Sequence, residues 1–487
     1  MKRFKPLEAF GEGIDGSYEL LPFRFLRLKE NRYVMTNEVG EHIVVDHQDI
    51  CDLVEGRLDP ASPSYMRLKA KHFLMDADSS AALELLALKY RTKSTSISNF
   101  TGLHIFVTTL RCNHSCPYCQ VSRQSEDREA FDMTEETALL SLDFVFRSPS
   151  EAIKIEFQGG ESLLNFELIK FVVLEAKKRN QAYGRDLQFV IATNLSCIDS
   201  EMLLFCDAHD IYVSTSLDGP KDLHNKNRLK PNGDSYEETI AGINKVREFL
   251  GPDKISALMT TTAACLPRVR EIVDEYVEQG FDSIFLRSLS PYGFAIKTKK
   301  YYAYDTFEWL NFYKEGLAYI IELNKKGTFF TESYASILLE KILTPYGTTY
   351  VDLQSPAGIG IAAIVFNYDG DVYASDEGRM LAEMGKREFR LGSLSKDSYE
   401  NVMLSDALLD PLEKSLTESS PMCTDCAFQS YCGSDPVRHF ATQGDVVGNK
   451  KLSGFCIKNM EIIRHLILLL EEDSDAREVL LSWVRYR

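Results

Sequence analysis

The chain has 487 residues, of which 44% are hydrophobic, and this is enough apolar material for two or three domains with their own cores. Its formal net charge of −17 argues against a nucleic-acid partner, because surfaces that bind nucleic acids are basic. No apolar stretch approaches the roughly eighteen residues of a spanning helix, so we expect no membrane partner.

The chain contains eleven cysteines, and most of them stand at the spacings of metal ligands. The first residues, MKRFKPLEAFGEG, lack the apolar core of a secretion signal. Cysteines in a protein that is not exported usually remain reduced. We therefore expect a cytoplasmic protein whose cysteines bind metal rather than pair as disulfides.

The first 95 residues contain no cluster of cysteines. Short strands are predicted at Phe23–Leu28, Arg32–Thr36 and His42–Val45, and helices at Gln48–Val54 and Tyr65–Met75. Strands followed by small helices resemble the winged-helix peptide-recognition elements that accompany peptide-modifying enzymes. A structural cap on the following domain is the alternative interpretation of this small α+β region.

The segment 100–330 alternates predicted strands with amphipathic helices. Its strands are rich in Ile, Val, Phe and Leu, which is typical of a parallel sheet covered by helices on the outside. In such α/β barrels the chemistry lies at the carboxyl ends of the strands. The six predicted strands are His104–Leu110, Ile153–Gln158, Leu187–Thr193, Tyr212–Leu217, Ile255–Thr260 and Ser283–Leu289.

The first of these strands runs into a loop with three cysteines, Cys112, Cys116 and Cys119. This spacing allows three thiolates to point at one place, where they can hold three irons of a cubane cluster and leave the fourth iron open. Zinc sites usually need four ligands, often from two Cys-x-x-Cys pairs. A structural metal knot is the alternative interpretation.

The motif Cys-x-x-x-Cys-x-aromatic-Cys, with Tyr118 as the aromatic residue, resembles the signature of the radical S-adenosylmethionine (SAM) enzymes. The resemblance implies a [4Fe–4S] cluster whose open iron chelates SAM. It also implies that the cleaved cofactor yields a 5′-deoxyadenosyl radical, which removes a hydrogen atom from the substrate. The fold that it implies is α/β, a partial TIM-like (β/α)6 barrel.

Polar residues and glycines follow the next two predicted strands. Gly159, Gly160 and Glu161 resemble the family's Gly-Gly-Glu-Pro motif, with a serine in place of the proline. The resemblance implies that this backbone and carboxylate hold the ammonium group of SAM. Thr193 and Asn194 end the third strand, where the family places polar groups against the cofactor.

The later strands end in a further group of candidate residues. The resemblance places Ser216 and Asp218, at the end of the fourth strand, against the cofactor. His224 and Arg228 match a pattern of the peptide-modifying branch, although a helix-face histidine and a solvated arginine are equally compatible. Arg287 ends the sixth strand and is expected to pair with the SAM carboxylate, because its planar guanidinium suits that partner.

A second group of cysteines lies near the C-terminus. Four thiolates can close a site completely, and by themselves they would suit zinc or a four-iron cluster. The region resembles the SPASM domain of peptide-modifying radical SAM enzymes, and this resemblance implies an auxiliary [4Fe–4S] cluster. The four cysteines are Cys423, Cys426, Cys432 and Cys456.

The SPASM pattern also includes cysteines for a further auxiliary cluster, and these are replaced here. Ser355, Ser375 and Pro436 stand at the expected positions. We therefore predict one auxiliary cluster only. Asp376 matches a general base of the sulfatase-maturing relatives, and a solvated loop aspartate is the alternative.

These observations predict four regions: 1–95, 100–330, 350–460 and the helices of 461–487, with a linker at Ser94–Asn99. Together with LLPFRFLRL and TNEVGEHI near the N-terminus, they most resemble the His-Xaa-Ser system radical SAM maturases. The resemblance implies cross-linking of side chains in a ribosomally made precursor peptide, with an external reductant of flavodoxin or ferredoxin type. The alternatives are formylglycine-type oxidation of a protein Cys or Ser, and a non-catalytic peptide-binding metalloprotein.

Overall fold

The computed structural model describes residues 18–79, 81–98 and 100–484. The predicted first region therefore lies partly outside the described residues, as does the very end of the last one. Within the described part, no helix is long and apolar enough to cross a membrane.

The N-terminal region contains five strands and three helices. Strands β2, β3 and β4 form an antiparallel sheet, and β1 pairs with β5. The elements are β1 (Tyr18–Leu20), β2 (Phe23–Lys29), β3 (Arg32–Asn37), β4 (His42–Asp46), α1 (His47–Val54), α2 (Pro63–Ala70), β5 (Leu74–Asp76) and α3 (Ala82–Ser98).

Both faces of the β2–β4 sheet pack against other elements. Successive residues of a strand point to opposite faces, so each face has its own contacts. Met35 and Ile43 pack against α1 and α2, whereas Val34 and Val44 join a core shared with the C-terminal helices. The Thr36 hydroxyl donates a hydrogen bond of 2.5 Å to the carbonyl of Ala427. The N-terminal region is thus packed against the C-terminal one.

The predicted linker Ser94–Asn99 is wrong, because α3 continues to Ser98. This helix is held against the β3–β4 turn by an ion pair between Lys89 and Glu41. Lys93 also donates to the carbonyl of Val39, at 3.2 Å. These tertiary contacts outweigh the low helix propensity of the serines and threonines in its last turn.

The central region has alternating strands and helices. Most of its helices begin with a capping side chain, such as Asp305, which forms a capping box with Glu308 at the start of α12. The elements are β6 (Leu103–Thr109), α4 (Arg128–Phe131), α5 (Glu135–Val145), β7 (Ala152–Gly159), α6 (Phe166–Tyr183), β8 (Asp186–Ala192), α7 (Ser200–Ala208), β9 (Ile211–Ser216), α8 (Lys221–Asn227), α9 (Ser235–Leu250), β10 (Ile255–Leu258), α10 (Val269–Glu278), β11 (Ser283–Ile284), α11 (Gly293–Lys297) and α12 (Thr306–Lys325).

The C-terminal region adds four strands and seven helices to the described structure. These elements are β12 (Thr331–Glu332), α13 (Ser333–Leu343), β13 (Ala363–Phe366), β14 (Asp371–Tyr373), α14 (Asp376–Ala382), β15 (Arg390–Ser393), α15 (Tyr399–Met403), α16 (Asp406–Lys414), α17 (Pro436–Gln443), α18 (Gly454–Glu472) and α19 (Ser474–Ser482).

The main sheet has eight strands in the order β10-β9-β8-β7-β6-β13-β14-β15. The pairs from β10 to β13 are parallel, and β14 and β15 are antiparallel additions. The chain thus has a mixed α/β fold with a mostly parallel sheet. The strand that leads into the three-cysteine loop, β6, lies in the interior of this sheet.

The sixth predicted strand is much shorter than expected. Only Ser283–Ile284 forms a ladder, and its partner is β12 rather than a strand of the main sheet. The amide of Leu286 donates instead to the carboxylate of Glu332, at 3.1 Å. A bridge between Thr261 and Ser288 is the contact that continues toward the main sheet.

Candidate active site

The three-cysteine loop begins directly after β6. Its start is anchored by Arg111, a mostly buried residue that makes two hydrogen bonds of 2.7 Å to Asp132. The same guanidinium donates to the carbonyl of Leu164. This pair was not predicted from the sequence, although an arginine directly before a cysteine of the loop was a visible signal.

A cavity of about 270 Å³ lies at the carboxyl ends of β6, β7, β8 and β9. It brings together most of the predicted cofactor-binding residues with the three cysteines and Asp376. The predicted residues on its wall are Cys112, Cys116, Tyr118, Cys119, Gly159, Gly160, Thr193, Asn194, Ser216, Arg287 and Asp376.

The three thiols are partly buried in this wall. Burial raises the pKa of Cys116 to about 12 and that of Cys112 still further. Thiols in such surroundings stay protonated until a metal cation supplies the compensating charge. The donor set therefore fits an iron–sulfur cluster, with three protein ligands and a cavity beside them for the cofactor.

The two glycines after β7 are required by the approach of the backbone to the three-cysteine loop. A Cβ atom on Gly160 would lie 2.2 Å from the carbonyl oxygen of Arg111, and one on Gly159 would lie 2.4 Å from that of Thr109. The amide of Gly160 donates to the Thr109 carbonyl at 2.8 Å. These glycines thus hold two strand ends together at the cavity.

Glu161 occupies a different place from the one that the motif implies. Its carboxylate is fully buried and does not line the cavity. It accepts hydrogen bonds from the Thr193 hydroxyl at 2.5 Å and the Asn194 amide at 2.8 Å. A third bond, from the amide of Leu163, completes the set. Glu161 therefore positions the end of β8 from below the cavity surface.

Asp218 is likewise fully buried and absent from the cavity wall. It accepts a hydrogen bond of 2.6 Å from the hydroxyl of Tyr118 and forms an ion pair with Arg228 at 3.1 Å. The Arg228 guanidinium also lies 5.6 Å from the centre of the Tyr118 ring. The contacts among these three residues stabilise the three-cysteine loop from the side of β9.

His224 is completely buried and does not line the cavity. Its ring shares the hydroxyl of Ser235 with His114 of the cysteine loop, at 3.0 and 2.9 Å. Burial lowers the pKa of His224 to about 4 and that of His114 to about 3. Both rings are neutral at physiological pH and have a structural role.

Asp376 lines the cavity, but its carboxylate is paired. The guanidinium of Arg379, which is 1% exposed, donates to it at 2.8 Å. The adjacent Glu377 has no such bond and lies 4.0 Å from Arg287. Burial, with further contributions from Asp352 and Asp376, raises the pKa of Glu377 to about 7. Sequence reasoning missed Glu377, and only its position beside Asp376 could have indicated it.

The three replaced cysteine positions have structural roles of their own. Ser375 caps α14 by accepting from the amide of Gly378 at 3.1 Å. Ser355 accepts from the amide of Thr417 at 2.9 Å. Pro436 is the first residue of α17, where its fixed φ and missing N–H are well tolerated. These contacts give Ser355, Ser375 and Pro436 structural roles in the fold.

The other four cysteines surround a second cavity of about 330 Å³, with a mostly apolar wall. Burial raises the pKa of Cys426 to about 11 and that of Cys456 to about 12. In the described residues, no three His, Cys, Asp or Glu side chains converge closely enough for a single metal ion. Four thiols around one cavity are a donor set that suits zinc or a four-iron cluster. The cavity-lining cysteines are Cys423, Cys426, Cys432 and Cys456.

A parallel sheet with three cysteines at its carboxyl edge is the arrangement of one enzyme class. Residues 106–269 match the model of the Radical SAM superfamily. This part of the chain is therefore similar to the radical SAM enzymes, whose cofactors are SAM and a [4Fe–4S] cluster. The residues on the cavity wall provide a fitting set of donors for both.

Two curated proteins are similar to the chain. An uncharacterized protein of Methanocaldococcus jannaschii is 31% identical over 191 residues, which cover 38% of this chain and 62% of that protein. A cysteine-type anaerobic sulfatase-maturating enzyme of Clostridium perfringens is 24% identical over 272 residues, which cover 54% and 71%.

Two solved structures share the fold. Native anSMEcpe with bound AdoMet has a TM-score of 0.63 at 18% identity, with 77% of this chain and 100% of that chain covered. Streptococcus suis SuiB bound to precursor peptide SuiA has a TM-score of 0.50 at 13% identity, with 88% and 98% covered. At these identities the similarity extends to the fold alone.

Proposed function

We propose that this protein is a radical SAM maturase that removes hydrogen from a ribosomally made precursor peptide and joins two of its side chains. The observation that carries the proposal is the cavity in which the three cysteines meet the ends of four parallel strands. The peptide substrates named for SuiB and for another anSMEcpe complex support a peptide as substrate class. We also propose that the protein is a member of the His-Xaa-Ser system maturases.

Cys112, Cys116 and Cys119 would hold the first cluster. When bound, the cluster and SAM supply a 5′-deoxyadenosyl radical that takes one hydrogen atom from the peptide. The polar residues at the ends of β8 and β9 would orient the cofactor. The Arg287 guanidinium would do so by binding the carboxylate of SAM. Glu161 and Asp218 act one layer further out, since they position Asn194 and Tyr118 respectively.

Formation of a cross-link removes a second hydrogen from the peptide, as one proton and one electron. The proton would pass to one of two carboxylates. The predicted Asp376 lines the cavity but is paired with Arg379, whereas Glu377 lies just outside the wall, 4.0 Å from Arg287, and suits the role better because it lacks such a pair. The electron would pass to the auxiliary cluster of the four C-terminal cysteines. An external reductant of flavodoxin or ferredoxin type would start each turnover.

We also propose that the chain is divided into four regions, 1–95, 100–330, 350–460 and 461–487. The first region is proposed to recognise the peptide, and the third to be a SPASM-type domain with one auxiliary cluster. The burial of Val34 and Val44 against the C-terminal helices supports a fixed position for the first region.

Formylglycine-type oxidation of a protein Cys or Ser is the second candidate. The alignment with the sulfatase-maturating enzyme of Clostridium perfringens favours it. The roles of Ser355, Ser375 and Pro436 in capping and loop contacts favour the cross-linking maturase instead.

The test is cleavage of SAM by the anaerobically reconstituted full chain. The wild-type protein should bind about eight iron and eight sulfide per chain, as two cubanes require. It should also form 5′-deoxyadenosine after reduction. Cys116→Ala should abolish that product, whereas the control Cys206→Ala, at a buried isolated thiol, should retain it. Retained cleavage in Cys116→Ala would refute the proposal.

Mass spectrometry of a co-expressed peptide from a neighbouring gene separates the two reactions. A cross-link lowers the peptide mass by two hydrogens and leaves its cysteines and serines in place. Formylglycine formation instead yields an aldehyde that reacts with hydrazides. Zinc in place of iron would indicate the non-catalytic metalloprotein.

A further inference from the structure

A cavity of about 440 Å³ lies beside the cofactor cavity, and nothing in the proposed chemistry uses it yet. We call it the tyrosine pocket. It lies between the segment that follows β11, the start of α12, and the helices α17 and α18. Its wall includes Tyr301, Tyr302, Tyr304, Trp309, Arg438 and Lys458.

The tyrosine pocket adjoins the three-cysteine loop. Tyr301 and Tyr304 pack against a small apolar cluster that contains Tyr118 and Leu289, and Cys116 packs against the same cluster. The chain also passes from one cavity to the other at consecutive residues, since Arg287 lines the cofactor cavity and Ser288 lines the tyrosine pocket. A ligand in the pocket would therefore lie close to the reacting groups.

The pocket presents cations that lack close partners. In the described structure, the side chains of Arg438 and Lys458 make neither a hydrogen bond nor an ion pair within 4.0 Å. The ammonium group of Lys458 only faces aromatic rings, 4.9 Å from the centre of Tyr334. Trp309 is 3% exposed, and its indole N–H has no acceptor. Unsatisfied buried donors of this kind are costly unless a ligand supplies an acceptor.

Among the described residues, none of the carboxylates nearby forms an ion pair within 4.0 Å with these two cations. Asp305 and Glu308 on the wall are both used by the capping box of α12. Asp352 and Asp435 lie in electrostatic range, but burial raises their pKa values to about 7 and about 6. At neutral pH Asp435 is therefore mostly ionised and Asp352 about half ionised, so a ligand carboxylate would compete with them for the two cations.

We propose that the tyrosine pocket binds a carboxylate of the substrate peptide, flanked by an aromatic residue, and holds that segment beside the cofactor cavity. Arg438 and Lys458 would donate to the carboxylate. The three tyrosines would pack on the flanking side chain. The inference rests on the proposed function and specifies its substrate. The carboxylate can be an Asp or Glu side chain or the peptide's C-terminus.

Three synthetic probes distinguish these sources: Ac-Gly-Tyr-Glu-Tyr-Gly-NH2, its Glu→Gln counterpart with an amide end, and the Gln counterpart with a free C-terminal carboxylate. Binding to the anaerobic full-length holoprotein is measured by saturation-transfer NMR. We expect at least one carboxylate probe to bind roughly tenfold more tightly than the neutral probe, because each charge-assisted hydrogen bond is strong. Equal binding of all three probes would overturn the inference.

Matched variants locate the binding site. Lys458→Met and Arg438→Met should each weaken the preferred probe roughly tenfold, and Lys458→Arg should restore much of the affinity. The control Lys451→Met, at an exposed lysine outside the pocket, should bind like the wild type. Unchanged affinity in Lys458→Met, with folding confirmed by circular dichroism, would also overturn the inference.

The two proposals fail in different ways. If wild-type protein cleaves SAM but does not distinguish the probes, the tyrosine pocket is not a carboxylate site and the radical SAM proposal stands. If the wild-type protein binds the carboxylate probe but produces no 5′-deoxyadenosine, the tyrosine pocket is a carboxylate site and the proposed reaction is wrong.

Discussion

The buried ion pair between Asp218 and Arg228 should be one of the most sensitive points in the structure. Asp218 is completely inaccessible to solvent and accepts from four donors, namely the Tyr118 hydroxyl, two nitrogens of Arg228 and the Thr260 amide. Asp218→Ala leaves a buried guanidinium without a counter-charge. Breaking a buried pair in this way costs about 3–5 kcal/mol of unfolding free energy.

A second Asp–Arg pair of the same region is the matched control. Asp222 binds Arg268 through two hydrogen bonds, of 2.5 and 3.0 Å, but its side chain is 71% exposed. Asp222→Ala should therefore cost about 1 kcal/mol or less. Urea unfolding of the cluster-free chains, followed by tryptophan fluorescence, measures both changes.

The buried variant should also lose iron from the three-cysteine loop, because Tyr118 is released from its partner. Iron content per chain should then fall toward the four atoms of one remaining cubane. Equal stability losses in Asp218→Ala and Asp222→Ala would refute the reasoning, since they would show that burial does not determine the strength of these pairs.

Three further outcomes are expected. If Glu377 accepts the proton, peptide modification should increase as the pH rises through about 7, because its pKa is raised to that value and only the ionised form is a base; Glu377→Gln should remove this step from the pH–rate profile. Gly160→Ala should destabilise the protein by about 1–3 kcal/mol and weaken SAM binding measured by calorimetry, since the new Cβ meets a backbone carbonyl. In the control Gly233→Ala the new Cβ meets the end of a flexible lysine, so the loss of stability should be small. Cys426→Ser should remove about four irons per chain and leave the SAM-cleaving cluster, as iron analysis and 5′-deoxyadenosine formation can show; the control Cys206→Ser should keep all of them.

The central strands could be predicted from the sequence because their apolar runs are local signals. The expected strand His104–Leu110 is found at Leu103–Thr109, and Ile153–Gln158 is found within β7. The Asp-Gly dipeptide at Asp369–Gly370 is a further local signal, since β13 and β14 pair on either side of it. Spacing placed the three cysteines in a loop at a strand end, where the structure has them.

The positions of individual side chains could not be predicted in this way. Glu161 and Asp218 follow strand ends, as expected, but both turn inward and are fully buried. Their direction depends on donors from distant segments, such as Tyr118 for Asp218. The pairing of β13 with β6 was also missed, since the two strands are more than 250 residues apart and no local pattern links them.

The pairing of β13 with β6 has a consequence for how this protein can be divided. Ile105 and Val107 share a cluster with Val365 and Tyr373, so part of the central core comes from the far end of the chain. A polypeptide that stopped near residue 330 would leave β6 as an open sheet edge, prone to aggregation. The three-cysteine loop at its tip would lose its support. The C-terminal part therefore completes the central sheet, and we expect neither half to fold correctly when it is produced alone.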